Sequence, residues 1–239
     1  MWLILQHEVR QWFYSPITWL AIFVLQILLA FTFLSQVDLF MQMQERAVQN
    51  ENSVGFGEFI VIPLFNLAAL LWLFLTPLLT MRLISAERAN HSLNLLLTAP
   101  LSALQIILGK YFACLLFIGI NLCLLGFMVS SLALGGDVDF GQLGSALFGL
   151  FLFVTSCYAV GLYFSSINQQ SLLAALASFS FLLLFWLLDW NHSDGILQQL
   201  ALTGHYRPFL QGRFSSVDVL YFLSVIVTFL FFSQQKLRA

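Results

Sequence analysis

The chain has 239 residues, of which 60% are hydrophobic and only 8% are charged, and its formal net charge is −2. A soluble domain carries about 25% charged residues. The composition therefore excludes a soluble globular protein, and we expect an integral membrane protein that is surrounded by lipid and has no nucleic-acid partner.

The first segment, residues 2–14, has the pattern of a helix lying in the membrane interface. Its apolar side chains, Trp12 among them, would share one helical face, and its polar side chains, Glu8 among them, would lie away from that face. Ser15-Pro16 then turns the chain, because proline disfavours helix at the preceding residue.

Long uncharged runs follow, and a membrane-spanning helix needs about 20 apolar residues. The longest run, residues 140–188, is too long for one span and is divided at the polar patch 165–171. The sequence thus predicts an all-α membrane protein in which the whole chain 1–239 forms a single transmembrane domain. The six predicted spans cover about residues 17–35, 59–80, 106–131, 143–164, 172–189 and 217–233.

Three connections are long enough to carry structure of their own. Residues 36–58 form a polar loop. Residues 81–111 contain a short amphipathic helix, which Ala99-Pro100 ends. From the residues alone, this helix is either an anchor in the interface or a docking surface for a soluble partner. Residues 190–216 contain apolar side chains that a solvated loop would not need, so we expect this segment to pack on, or dip into, the membrane.

The distribution of Lys and Arg predicts the orientation. With six spans, both termini lie on one side, and that side holds six basic residues against three on the other. The termini and the 81–111 connection are therefore predicted to be cytoplasmic. The two sets are Arg10, Arg82, Arg88, Lys110, Lys236 and Arg238 inside, and Arg46, Arg207 and Arg213 outside.

No catalytic or metal-binding motif is complete. Residues 7–11 begin like HExxH, but Gln11 stands where the second zinc ligand is needed. A phosphate-binding GxxxxGK[ST] loop fails because Tyr111 follows Lys110, and we expect Lys110 to extend along the interface to the headgroups. The chain is thus not expected to be an enzyme, and any ATPase must be another polypeptide. We expect the three cysteines to be small packing residues: Cys114, Cys123 and Cys157.

Three stretches resemble the ABC-2 class of ABC-transporter permeases, in particular the gliding-motility group. The N-terminal stretch HEVRQWFYSPITWL is similar to that group's run ending in Ser-Pro before the first span. A second stretch matches at Met81, Arg82, Glu87, Arg88, Leu95, Leu96, Leu97, Thr98, Pro100, Gly109 and Lys110. Departures from the pattern are Ala86 for an acidic residue, His91-Ser92 for Gly-Thr, and Asn94 for an acidic residue.

The resemblance implies a role for two sets of residues. The loop between spans two and three would hold the coupling helix, which docks on a cytoplasmic ATPase, and the segment before span six would be re-entrant. The coupling set is Arg82, Glu87, Arg88, Asn90, His91, Asn94, Thr98 and Pro100. The external set, which carries the third stretch of similarity, is His205, Tyr206, Phe209, Gly212, Asp218 and Tyr221.

The resemblance also implies the assembly. Two permeases, identical or related, would combine with two ATPase chains in a bacterial inner membrane. ATP and magnesium would bind the ATPase, and this chain would hold no cofactor. The family mostly exports its substrates. The alternative is a non-transporting membrane subunit that passes ATPase motion to an extracytoplasmic partner protein, and a standalone channel is more remote.

Overall fold

The computed structural model is an all-helical bundle. It describes residues 6, 8–10, 12, 14–47, 57–85, 88, 103–134, 139–188 and 201–238. Seven α-helices are numbered here in chain order. They are α1 Pro16–Ala47, α2 Ile62–Thr80, α3 Ala103–Ser130, α4 Phe140–Ile167, α5 Ser171–Leu187, α6 Leu202–Leu210 and α7 Ser216–Arg238.

Five segments are long and apolar enough to cross a membrane, among the residues that the structure describes. Each overlaps one of the predicted spans. The fifth predicted span is α5, which is apolar but only 17 residues long. The five segments are Thr18–Met43, Phe59–Thr80, Ala103–Ala133, Phe140–Ile167 and Ser216–Leu237.

The first helix is longer than predicted. α1 continues to Ala47, whereas the sequence placed the end of span one at residue 35 and a loop from residue 36 onward. That placement was wrong because a rise in polarity ends a membrane span without ending a helix. The residues after 35 include Gln, Met, Glu and Arg, which favour helix, and neither Gly nor Pro interrupts them before Ala47.

The second helix begins with a π-helical turn, Gly57–Val61, and its first proline lies at the start of α2. Proline is tolerated in the first turn, where its missing N–H would have no helical partner. Pro63 therefore fits in the first turn of α2, which begins at Ile62, whereas Pro77 lies inside the helix.

α4 is the centre of the bundle and packs against α2, α3, α5, α6 and α7. Its N-terminus is capped by Asp139, whose Oδ1 accepts from the amides of Gly141 at 2.8 Å and Gln142 at 3.2 Å. Close contact with α2 depends on Gly161, because a Cβ at that position would overlap the side chain of Thr80. α4 therefore makes contacts at both ends of the bundle. The end that contains Ser85 and the start of α3 is called the loop end. The opposite end, which contains α6, is called the α6 end.

Candidate functional site

The chain segment that leaves α2 is tied to α4 at the loop end. The Ser165 hydroxyl accepts from the amides of Ile84 at 3.1 Å and Ser85 at 3.2 Å. The same hydroxyl donates to the carbonyl of Met81 at 3.3 Å. All three of its hydrogen-bonding positions are thus used by one short stretch of backbone.

The connection between α4 and α5 adds two contacts to the same segment. Ser85 Oγ donates to the carbonyl of Met81 and lies 3.0 Å from Ser171 Oγ. Arg88 Nη1 donates to the carbonyl of Ile167 at 3.2 Å. The polar patch that separates two spans in the sequence therefore binds the start of the 81–111 connection. We call the set Met81, Ile84, Ser85, Arg88, Ser165, Ile167 and Ser171 the loop anchor.

The structure describes two of the eight predicted coupling residues. Arg82 is exposed and Arg88 is half-buried in the loop anchor. Sequence reasoning missed Ser165 and Ser171, although the patch itself was visible as a polar break in an apolar run. The six other predicted coupling residues lie outside the described residues: Glu87, Asn90, His91, Asn94, Thr98 and Pro100.

Lys110 does not extend to the headgroups, so that prediction was wrong. Its ammonium lies 2.5 Å from the Glu8 carboxylate, and its side chain is only 2% exposed. Glu8 was also predicted on an outward polar face, but it is buried. Each charge could leave water because the other supplies an ion pair in the interior.

At the opposite end, α6 packs into the bundle through one face. Its buried side chains include Tyr206 and Phe209. The Tyr206 hydroxyl donates to the carbonyl of Phe65 in α2 at 3.1 Å. Burial raises the pKa of the Tyr206 phenol well above its usual range, so the phenol stays a hydrogen-bond donor at physiological pH.

α6 also lies close against α4. A Cβ built on Gly149 would be 2.5 Å from Phe209 Cβ, so only glycine fits this contact without a shift. Gln142 Nε2 donates to the carbonyl of Leu210 at 2.8 Å and holds the end of α6. Gly212 follows with φ of +75°, a left-handed conformation that glycine adopts readily. The 190–216 segment thus includes a helix packed on the bundle.

The other face of α6 meets the start of α7. His205 Nδ1 lies 2.5 Å from Asp218 Oδ1, and both side chains are largely buried. The His205 ring stacks on Tyr221 with ring centroids 4.0 Å apart. Three of the six predicted external residues therefore form one cluster, which joins α6 to α7. Tyr206 and Phe209 face the bundle, and Gly212 forms the turn between the two helices.

Neither end shows the arrangement of a metal centre. Within the described ranges, no three His, Cys, Asp or Glu side chains gather as ligands for an ion. Cys114 and Cys157 are buried and Cys123 is exposed, and all three are free thiols. The polar groups of the loop anchor and of the α6 cluster hold helices together and connect them across the bundle.

The bundle has several long apolar helices, polar clusters at its two ends and few charges between them. These features define a multi-pass membrane protein. The sequence model of the ABC-2 family transporter proteins matches residues 2–236 of the chain. The chain therefore belongs to the ABC-2 transporter family, which supports a permease role and implies pairing with an ATPase subunit in general. No individual curated protein matches it.

Proposed function

We propose that this chain is the permease subunit of an ABC-2 exporter in a bacterial inner membrane, of the gliding-motility group. A separate cytoplasmic ATPase binds ATP and magnesium and drives it, and this chain hydrolyses nothing itself. A second permease, identical or related, completes the pathway. The observation that carries the proposal is the loop anchor, because it gives the connection after α2 a mechanical link to the centre of the bundle.

The loop anchor supports transmission of force from the connection after α2 to α4 and α5. A partner that displaces the connection after Arg88 pulls on Ser85 and on the backbone of Ile84. Those groups are bonded to Ser165 and Ser171, at the end of α4 and the start of α5. Since α4 contacts five other helices, a movement at the loop end is passed to most of the bundle.

The helix at the α6 end would move in response. α6 touches α4 through Gly149 and α7 through the pair His205–Asp218. A shift of α4 along its axis therefore changes the position of α6. We propose that α6 is the re-entrant element that caps the pathway on the extracytoplasmic side.

Six spans and cytoplasmic termini belong to the same proposal. At 17 residues, α5 lies at the lower end of the range of about 17–25 that spans a bilayer. Among the described residues, the basic side chains support a cytoplasmic loop end, since positive charge favours that side. Those at the loop end are Arg10, Arg82, Arg88, Lys110 and Lys236, against Arg207 and Arg213 near α6.

The test compares two adjacent serines of α4 in a reconstituted complex with the ATPase that co-purifies. Ser165→Ala removes the acceptor for two amides, and buried unsatisfied donors cost about 1–3 kcal/mol each. Ser166→Ala is the matched control, because the Ser166 hydroxyl is buried but donates to Tyr163 of its own helix at 2.6 Å.

We expect Ser165→Ala to bind the ATPase but to reduce its permease-dependent turnover by roughly fivefold or more, the scale of a modest coupling free energy. Ser166→Ala should behave as wild type. Equal turnover in both variants would remove the loop anchor from the mechanism. Failure of the wild-type chain to bind any ATPase would overturn the proposed function itself.

A further inference from the structure

A buried ion pair joins α3 to the N-terminal helix, the helical residues before α1 that the structure describes at 6, 8–10, 12 and 14. Lys110 Nζ and Glu8 Oε1 are 2.5 Å apart, and the two side chains are 2% and 6% exposed. The residues are 102 positions apart in the sequence. Removing two charges from water is costly, and an ion pair between them often does no more than offset that cost. The value of such a pair is therefore expected to lie in the position that it fixes.

A second contact indicates how the two helices run relative to each other. Trp12 lies one helical turn after Glu8 and is buried, with its ring 4.9 Å from Phe117, edge to face. Phe117 lies two turns after Lys110. Since both contacts advance in the same sense along the two helices, the N-terminal helix runs beside α3 in roughly the same direction. Trp12 also lies near Tyr158 of α4, with ring centroids 6.4 Å apart.

The pair lies near the far end of the 81–111 connection. α3 begins at Ala103, and Lys110 lies two turns into it. The near end of the connection is held by Ser165, at the loop anchor. We propose that Glu8 and Lys110 are positioning residues which form a latch: they hold the first turns of α3 in a fixed place, so that both ends of the connection are held.

The native thiol of Cys114 reports whether the latch is closed. It lies one turn after Lys110 and is completely buried. In a Cys123→Ser, Cys157→Ala background, a small methanethiosulfonate reagent therefore measures exposure at this one position in the detergent-purified chain.

Three variants test the latch. Glu8→Gln and Lys110→Met each leave one member of the pair, and the double variant Glu8→Lys/Lys110→Glu restores opposite charges in exchanged positions. We expect the reagent to label Cys114 at least about tenfold faster in either single variant than in wild type. Losing one partner of a buried pair shifts an opening equilibrium by more than that factor. The exchanged pair should return the rate toward that of wild type.

Asp38→Asn is the matched control, because Asp38 is an exposed carboxylate of α1 that accepts from Gln42 at 3.2 Å. It should leave the labelling rate unchanged. If the single variants fail to fold, folding of the exchanged pair with a protected Cys114 still supports the latch. A protected Cys114 in folded single variants, or no recovery in the exchanged pair, overturns it.

An effect on the ATPase rests on the proposed function and forms a separate arm. If the latch positions the connection for docking, Glu8→Gln should lower ATPase stimulation, and the exchanged pair should restore it. Cys114 protection is measured on the chain alone. Recovery of protection without any ATPase binding by wild type would therefore retain the latch and reject the proposed function.

Discussion

The contact between α4 and α6 can be tested by adding a single methyl group. Gly149→Ala places a Cβ at 2.5 Å from Phe209 Cβ and 2.8 Å from Phe209 Cγ. Both distances are below 3.0 Å, and real Cβ atoms essentially never make contacts shorter than that. The Phe209 side chain is fully buried, so it cannot turn away into open space, and α6 must move.

The magnitude follows from two opposing effects. Overpacking a buried contact costs about 1–3 kcal/mol, whereas replacing glycine by alanine inside a helix gains about 0.5–1 kcal/mol. Gly144→Ala in the same helix isolates the second effect, because a Cβ at Gly144 meets nothing within 4 Å. The two variants should therefore differ by about the whole overpacking cost.

Thermal unfolding of the purified chain in one detergent measures this difference. One kcal/mol corresponds to roughly 2–4 °C in melting temperature for a protein of this size. We expect Gly149→Ala to melt about 5 °C below Gly144→Ala, with Gly144→Ala at or slightly above wild type. Equal melting temperatures for the two alanine variants would refute the close packing of α6 on α4.

Two further predictions concern the polar groups. Asp218→Asn should lower the free energy of unfolding by about 1–3 kcal/mol, because it weakens a largely buried hydrogen bond to His205. Asp38→Asn, at an exposed carboxylate, should change the melting temperature little. Equal losses in the two variants would contradict a stabilising contact between His205 and Asp218. For orientation, an impermeant thiol reagent should label a cysteine at Gln49 from outside intact cells but not one at Asn90; labelling of Asn90 from outside would invert the proposed topology.

The sequence predicted the helical class and the approximate spans because apolar runs record burial in lipid directly. It did not predict that α1 would continue to Ala47. Hydropathy marks where a helix leaves the membrane, whereas the end of a helix depends on helix-breaking residues and on packing. The 17-residue length of α5 also depends on local geometry, which composition does not determine.

The site residues divide in the same way. The resemblance pointed to His205, Asp218 and Tyr221, and the structure brings these three together. It gave no sign that Lys110 pairs with Glu8, because nothing local in the sequence reports a partner 102 residues away. A solitary basic residue at a span end looks the same whether it reaches the headgroups or a buried carboxylate.

The role of Ser165 could not be predicted for a related reason. In the sequence, the patch from Ser165 to Ser171 is only an interruption between two apolar runs. Its hydroxyl groups become an anchor because α2 ends beside it, which allows the amides of Ile84 and Ser85 to reach Ser165. Such a contact depends on how separate helices are placed, and a single sequence does not determine that placement.

The central claim is that the connection after α2 docks on an ATPase, and charge reversal at Glu87 tests it most directly. Losing one partner of a desolvated interfacial charge pair costs about 2–5 kcal/mol, so Glu87→Arg should weaken ATPase binding more than about tenfold. Arg213→Glu, an exposed residue near α6, is the control and should bind normally. The measurement is the affinity of each purified, correctly inserted permease for the ATPase. Weaker binding by Glu87→Arg alone is the predicted result, and unchanged affinity with unchanged ATP turnover would contradict the docking role.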